Sequence, residues 1–262
     1  MSNPTPEPRL AATILLVRDG ASGLEVFMVQ RHHQIDFATG AMVFPGGKVD
    51  EADADPALAA RVDGTPSDAE RAIRVAAIRE TFEEAGVLLA RPRGAGELVP
   101  GARLAEIEAR HRKALQAGER TLRELVEAEN LALATDLLVP FAHWITPVFM
   151  PKRFDTHFFL VAAPPDQLAI HDGGESVDSV WIQPAEARAE QAAGRRTIIF
   201  PTLMQIQKLG RSARVAEALR TARSSKIVTV LPRVEERPGG RTLVIPAEAG
   251  YDVVEAPVSA LS

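Results

Sequence analysis

Four charged residues at helical spacing carry most of the chemical information in this sequence. Arg79 is followed by Glu80, Glu83 and Glu84. Because a helix turns by roughly 100° per residue, the three glutamates fall within an arc of about 100° on one side of a helix. Arg79 lies one turn before Glu83 and can form an i,i+4 ion pair with it. The apolar residues on the other side are Val75, Ile78, Phe82 and Ala85.

This cluster of carboxylates favours a metal ion. Three carboxylates on one arc repel one another, and a hard divalent cation relieves that repulsion. Mg²⁺ and Mn²⁺ prefer oxygen ligands, and Mg²⁺ commonly combines a few carboxylates with the phosphates of a substrate. A solvated acidic face with one arginine pair is the alternative. However, the pair Gly46-Gly47 precedes the helix, and glycines let the backbone approach a metal ion or a phosphate closely.

The same residues resemble the Nudix box, G-x5-E-x7-R-E-U-x-E-E-x-G-U, in which U is a bulky apolar residue. Gly47 matches the first glycine, and residues 79–87 match the second half, with Thr81 where the family has an apolar residue. Asp53 stands at the first acidic position, six residues after Gly47. The chain from Asp53 to Arg79 is far longer than in the usual box, so a loop is inserted inside it.

The split box and two later segments resemble the peroxisomal acyl-coenzyme A diphosphatase branch of animals and its bacterial relatives. The resemblance covers roughly residues 9–210. It implies an α/β (α+β) Nudix fold, in which a mixed β-sheet is sandwiched between helices. The segments that carry it are residues 44–53, 77–89, 143–147 and 153–160.

The resemblance implies an enzyme that hydrolyses the pyrophosphate of a nucleoside diphosphate linked to another group, with Mg²⁺ or Mn²⁺ as the cofactor. Coenzyme A or acyl-coenzyme A, cleaved to 3′,5′-ADP and (acyl-)phosphopantetheine, is the leading expectation. ADP-ribose, NADH or a dinucleotide is the alternative within the same class of reaction. A non-catalytic Nudix-like module that binds nucleotides is the alternative from a different class.

The resemblance also assigns roles to residues of the helix and the glycine pair. Glu80, Glu83 and Glu84 are expected to be catalytic metal ligands, and the carbonyl of Gly46 is expected to be a further ligand. Arg79 is expected to orient Glu83.

Candidate residues outside the box are fewer. Glu175 lies in a glycine-rich loop and is a candidate general base, with a plain turn residue as an equal alternative. Arg31, Lys48 and Arg153 are candidate phosphate contacts, with a solvated surface position as the alternative for each.

Periodicity and turn residues predict the elements that must position these side chains. Strands over residues 9–18 and 24–31 are expected to form a hairpin. The helix is expected to have Thr65 as its N-cap, to run through Ala85 and to end at Gly86. The other predicted elements are two helical pieces within residues 102–134 divided by Gly118, β-structure within 137–150, strands over 153–162 and 180–182, helices from Pro184 and over 202–209, and strand-like segments over 227–231 and 242–245.

These elements predict one enlarged domain. A leader over residues 1–8 precedes a Nudix domain over 9–210, with a loop insertion near 51–66 and a helical insertion near 102–134. Residues 211–262 form a C-terminal extension that packs on the domain or on a partner. The helical insertion is expected to pack on the core, and a substrate cap or a homodimer contact stays open.

Composition limits the classes of function. The 262 residues contain no cysteine, which excludes disulfides, zinc–thiolate sites and thiol nucleophiles, so a metal must use oxygen or imidazole ligands. The formal charge of −5 argues against nucleic acid and leaves a nucleoside-diphosphate small molecule as the expected partner. No stretch approaches the roughly 20 apolar residues of a membrane span, and the leader lacks an apolar signal region, so a cytoplasmic protein without membrane contact is expected.

Overall fold

A computed structural model describes residues 6–31, 40–167, 169–171, 173 and 176–261. A mixed β-sheet forms its centre, and helices pack against both faces, as the sequence predicts. Among the helices of these residues, none is both long and apolar enough to cross a membrane.

The bounds of the elements follow the chain. The strands are β1 (Arg9–Gly20), β2 (Gly23–Arg31), β3 (Met42–Val43), β4 (Gly46–Lys48), β5 (Ala90–Pro92), β6 (Leu131–Leu133), β7 (Val139–Ile145), β8 (Phe154–Ala162), β9 (Ser176–Ile182), β10 (Thr229–Val230), β11 (Arg233–Arg237), β12 (Gly240–Val244) and β13 (Glu255–Pro257). The α-helices are α1 (Asp68–Ala85), α2 (Gly101–Gln116), α3 (Leu122–Ala128), α4 (Pro184–Ala192), α5 (Phe200–Leu209) and α6 (Val215–Ser224).

Strand β1 is the central element of the main sheet, whose order is β10-β7-β8-β1-β2-β3. It pairs in parallel with β8 on one side, and antiparallel with both β2 and β4 on the other. The pairing of β1 with β2 is the predicted hairpin. Because β4 belongs to the same sheet and carries the glycine pair, its pairing with β1 holds that pair at a fixed position in the sheet.

The side chains of β1 alternate between two cores. Ile14 and Leu16 face a core formed with α1, α2 and α3, whereas Leu15 and Val17 face a core formed with α5, α6 and the C-terminal strands. All four are fully buried. A central strand buried on both faces explains why the sequence of β1 reads as a continuous apolar run rather than an alternating one.

The start of α1 differs from the prediction. The predicted N-cap, Thr65, is wrong, because the helix begins at Asp68 and Ser67 is its N-cap. The Ser67 hydroxyl accepts a hydrogen bond from the Glu70 backbone N–H, and the Glu70 carboxylate accepts one from the Ser67 backbone N–H at 3.2 Å. This reciprocal capping box satisfies two helix-terminal donors and fixes the start of the helix.

The end of α1 matches the prediction. Gly86 is the C-cap in the left-handed conformation, with φ at 67°, and its N–H donates to the Phe82 carbonyl at 3.0 Å. Thr81, which departs from the apolar pattern of the box, is buried and donates its hydroxyl hydrogen to the Ala77 carbonyl. A threonine is therefore tolerated at this position because the helix itself supplies the hydrogen-bond partner.

Two regions have more regular structure than predicted. The inserted loop contains two 3₁₀ helices, Glu51–Ala54 and Pro56–Arg61. Beyond residue 210, α6 packs on the main sheet and β10 joins its edge beside β7, while β11, β12 and β13 form a separate antiparallel sheet.

Candidate active site

Arg79 gathers the acidic residues of the split box. Its guanidinium donates two parallel hydrogen bonds to Asp53, from Nε to Oδ1 and from Nη2 to Oδ2, both at 2.9 Å. Nη1 donates to Glu80 at 2.9 Å and to Glu83 at 3.4 Å, and Nη2 also donates to the Lys48 carbonyl at 2.8 Å. The insertion thus folds back so that Asp53, 26 residues before Arg79, completes the site.

The glycine pair packs directly on the glutamates of α1. The backbone N–H of Gly46 donates to Oε2 of Glu84 at 2.9 Å. A Cβ atom on Gly47 would lie 2.4–2.6 Å from the carboxylate atoms of Glu80, closer than any real side chain permits. Only glycine at position 47 therefore leaves the Glu80 carboxylate its present place between β4 and α1.

The glutamates are enclosed rather than solvated. The side chains of Glu80 and Glu83 are 13% and 16% exposed, and Glu84 as a whole residue is 6% exposed. Burial raises the pKa of Glu83, and the neighbouring positive charge of Arg79 opposes that shift. Burial also disfavours the charged form of Arg79, but its hydrogen bonds to Asp53 and the charges around it raise its pKa overall, so the guanidinium stays protonated.

The donor set fits a hard divalent cation. One guanidinium faces several carboxylates, so the cluster carries an excess of negative charge. All side-chain atoms with which the cluster could ligate a metal ion are carboxylate oxygens, the ligands that Mg²⁺ and Mn²⁺ prefer. The carboxylates are Asp53, Glu80, Glu83 and Glu84.

The helical insertion reaches the same end of α1. On α2, Arg112 Nε and Gln116 Nε2 both donate to the backbone carbonyl of Glu83, at 3.0 and 2.7 Å. Arg112 Nη2 also donates to the Ile170 carbonyl at 3.4 Å, and the Ile170 N–H donates to the Ala85 carbonyl. Sequence reasoning missed this contact, since the apolar stripe of α2 indicates which face is buried but not which carbonyl its polar residues reach.

The other predicted site residues have mixed placements. The Lys48 side chain is exposed beside the cluster, and its carbonyl accepts from Arg79. Arg153 is buried, and its Nε and Nη1 donate to the carbonyls of Thr146 and Pro6. These contacts stabilise the backbone at those two residues. Arg31 ends β2, but its side chain and the whole of Glu175 lie outside the described residues. The roles assigned to these residues stay predictions.

Comparison with known proteins gives a consistent family. Residues 56–209 match the family described as the NUDT19 Nudix domain. A crystal structure of a NUDIX hydrolase from Alicyclobacillus acidocaldarius is similar, with a TM-score of 0.66 and 29% identity, covering 82% of this chain and 96% of that one. The matched family range begins after Asp53, so the glycine pair and the first acidic position lie before it.

Curated relatives carry related names. The acyl-coenzyme A diphosphatase NUDT19 of Gallus gallus is 29% identical, over 64% of this chain and 56% of its own length. The putative nudix hydrolase 7 of Caenorhabditis elegans is 27% identical, over 77% of this chain and 60% of its own length. The match thus spans less than two thirds of either relative.

Proposed function

The chain belongs to the NUDT19 Nudix domain family, and from that premise we propose that it hydrolyses the pyrophosphate of coenzyme A or acyl-coenzyme A to 3′,5′-ADP and (acyl-)phosphopantetheine. The observation that carries the proposal is the cluster around Arg79, which joins Asp53 to the glutamates of α1 across the insertion. Holding so many carboxylates together at low exposure costs stability, because they repel one another and are removed from water. Such a cluster therefore indicates a functional site.

In the proposed reaction each residue has a limited task. Glu80, Glu83 and Glu84, with the Gly46 carbonyl, would hold the divalent cation, and Arg79 would keep Glu83 oriented. When bound, Mg²⁺ or Mn²⁺ neutralises phosphate charge and acidifies water.

The bond changes follow from hydrolysis of an anhydride. The oxygen of water bonds to one phosphorus while the bridging P–O bond breaks, and the bridging oxygen leaves with the other phosphate. A base takes the proton of the attacking water, and we propose Glu175 for this role. We propose that the cationic side chains of Arg31 and Lys48 contact the phosphates. The same role for Arg153 requires its guanidinium to leave the carbonyls of Thr146 and Pro6.

The choice of coenzyme A rests on the relatives rather than on the geometry of the site. The name of the NUDT19 protein of Gallus gallus, acyl-coenzyme A diphosphatase, supports coenzyme A as the substrate class. Because the sequence identity is 29%, we separate two proposals. The broader one is that the chain cleaves a pyrophosphate, and the narrower one is that the group attached to it is that of coenzyme A.

A substrate panel tests both levels. The purified protein is incubated with coenzyme A, an acyl-coenzyme A, ADP-ribose and NADH, each with Mg²⁺ or Mn²⁺, and the products are identified by mass spectrometry. We expect 3′,5′-ADP and a phosphopantetheine, with no product when a chelator removes the metal. AMP from ADP-ribose or NADH without coenzyme A cleavage would overturn the narrower proposal. No cleavage of any pyrophosphate would overturn the broader one in favour of a binding module.

A further inference from the structure

A second group of metal-ligating side chains lies on the sheet and does not include Glu80, Glu83 or Glu84 of α1. His143 of β7 and His157 of β8 are direct partners in the antiparallel register. Their rings stack with centroids 4.1 Å apart and planes 21° apart. Asp155 precedes His157 by two residues and therefore shares its face of β8. Ligand atoms from all three residues lie within 4.8 Å of one another.

The three side chains converge on one oxygen. Nε2 of His143 is in hydrogen-bond contact with Oδ1 of Asp155, and Nε2 of His157 lies 3.9 Å from the same oxygen. A tetrahedral ion with bonds of about 2.0–2.1 Å holds its ligand atoms about 3.3 Å apart. The side chains are 18–32% exposed, so adjustments of this size need no change in the sheet.

Thr229 supplies the support that a ligating histidine needs. Its Oγ1 lies 2.8 Å from Nδ1 of His143, the ring nitrogen opposite to the one facing Asp155. A hydroxyl both donates and accepts, so it can donate to Nδ1 while Nε2–H bonds Asp155. With an ion at Nε2, the tautomer reverses and Nδ1–H donates to Thr229. Such outer hydrogen bonds orient the imidazole at metal sites.

The donor types separate this group from the carboxylate cluster. Two imidazoles and one carboxylate suit Zn²⁺ and similar borderline transition metals, whereas carboxylates alone suit Mg²⁺ and Mn²⁺. One strand of the sheet also separates the two groups. His157 pairs with Ala12 of β1, and Ala12 pairs on its other side with Gly47, so β1 runs between them.

We propose that His143, Asp155 and His157 bind a divalent transition metal of the Zn²⁺ class, with Thr229 orienting His143. Three protein ligands leave a fourth position for water or another exchangeable ligand. The ion would crosslink β7 to β8 and, through Thr229, secure β10 at the edge of the main sheet. The proposal does not depend on the hydrolase activity.

Cobalt binding under excess Mg²⁺ tests the proposal. Co²⁺ replaces Zn²⁺ and gives a visible absorption band when it is held tetrahedrally by nitrogen and oxygen, while excess Mg²⁺ occupies the carboxylate cluster. The full chain is titrated with Co²⁺, and bound metal is counted after dialysis. We expect one Co²⁺ per chain, displaced by Zn²⁺. No retained Co²⁺ or Zn²⁺ would overturn the proposal.

Matched variants locate the bound ion. His157→Phe keeps a stacked ring but removes a ligand nitrogen, so we expect Co²⁺ affinity to fall by more than about a hundredfold. Thr229→Val removes only the outer hydrogen bond and should weaken affinity by about tenfold. Glu84→Gln and His171→Gln should leave the band unchanged, because neither residue belongs to the group. Binding that survives His157→Phe, or that is lost in His171→Gln, would contradict the site; if His157→Phe does not fold, Asp155→Asn replaces it.

Discussion

Arg79 is the residue on which the geometry of the proposed active site depends. The Arg79 side chain is 9% exposed, and its guanidinium nitrogens reach Asp53, Glu80 and Glu83. Bidentate pairing with Asp53 fixes the plane of the guanidinium and thereby the direction of the bonds to the glutamates. The orientation of the proposed metal ligands therefore depends on a residue of the inserted loop.

Asp53→Asn tests this dependence. The amide cannot accept both guanidinium bonds, but Glu80 and Glu83 keep Arg79 paired, so the free energy of unfolding should fall by about 1.5–3 kcal/mol. The kcat should fall about 10–100-fold, as for other partners that orient metal ligands. Denaturant unfolding and initial rates measure both quantities.

Asp50→Asn is the matched control. Asp50 lies 3.4 Å from Arg79 but its side chain is 64% exposed, so its loss should change either quantity little. Equal effects from the two substitutions would mean that the pairing with Asp53 has no special role.

Gly47→Ala tests the close approach of β4 to α1. The new methyl group would displace the end of the flexible Glu80 side chain rather than backbone, so the protein should remain folded. Misplacing a proposed metal ligand by about 1 Å should lower kcat by about a hundredfold. Gly96→Ala is the control, since a Cβ there meets nothing within 4 Å. Full activity in Gly47→Ala would remove the basis for placing Glu80 in the site.

At this scale the sequence predicts which residues of the box share one side of α1 better than it predicts their contacts. The spacing of Arg79, Glu80, Glu83 and Glu84 is local, and helix geometry alone puts them on one side. Asp53 and Arg79 lie on either side of the insertion in the sequence. Because the insertion is long, no local pattern predicts their contact. Spacing also suggests a solvated acidic arc, whereas β4 covers it in the fold.

At the scale of elements, α2 acts as a brace for the C-terminal end of α1. Arg112 and Gln116 satisfy the Glu83 carbonyl, which belongs to the last helical turn. A cation at the end of a helix also interacts favourably with the helix dipole. The same arginine contacts Ile170, which lies five residues before Glu175 in the sequence.

Arg112→Met tests the brace. The substitution keeps the apolar stem but removes the donors to Glu83 and Ile170, so we expect kcat to fall by about tenfold with KM little changed. Lys113→Met on the same helix is the control, because Lys113 is exposed. If both variants keep full kcat, α2 packs against α1 without positioning Glu83.

Elements with strong local signals could be predicted, and those with weak signals could not. The run Ile14–Val17 and the Gly86 stop give β1 and the end of α1 correctly. The sequence does not decide the start of α1, because Thr65-Pro66 and Ser67 both provide capping signals two residues apart. The reciprocal bond with Glu70 selects Ser67. The sequence does not predict helix α6, although four of its residues have the spacing of an apolar helix face: Val215, Ala218, Leu219 and Ala222. The signal is weak because two of these four residues are small alanines.

At the scale of the whole molecule, the residues after 210 are part of the same packed structure. Leu243 of β12 and Tyr251 are buried in the core on the far side of the sheet from α1. The Tyr251 hydroxyl accepts from Trp144 Nε1 at 2.9 Å and donates to Gln205 at 3.0 Å. We therefore propose that residues 9–210 form the Nudix unit and that 211–262 complete one of its cores; the homodimer stays a prediction.

Tyr251→Phe tests that integration. The substitution leaves the Trp144 donor and the Gln205 acceptor buried without their partner, which should cost about 1–3 kcal/mol of unfolding free energy. We expect thermal unfolding at a lower temperature than in the wild-type protein. We expect kcat to be unchanged, since the contact lies across the sheet from the proposed active site. Asp252→Asn removes only an exposed ion pair with Arg211 and should cost less than about 1 kcal/mol. Equal stability of the two variants would show that the C-terminal strands are not part of the cooperative core.

The most direct test of the central claim is the metal-dependent rate of Glu84→Gln. The amide keeps the volume and can still accept from the Gly46 N–H, so the fold should persist while one proposed metal ligand loses its charge. On the pyrophosphate that the wild-type protein cleaves fastest, we expect the Mg²⁺-dependent rate to fall by at least about a hundredfold. Glu186→Gln, an exposed position on α4, should keep the full rate. An unchanged rate in Glu84→Gln, measured on folded protein, would contradict the assignment of the active site to the glutamates of α1.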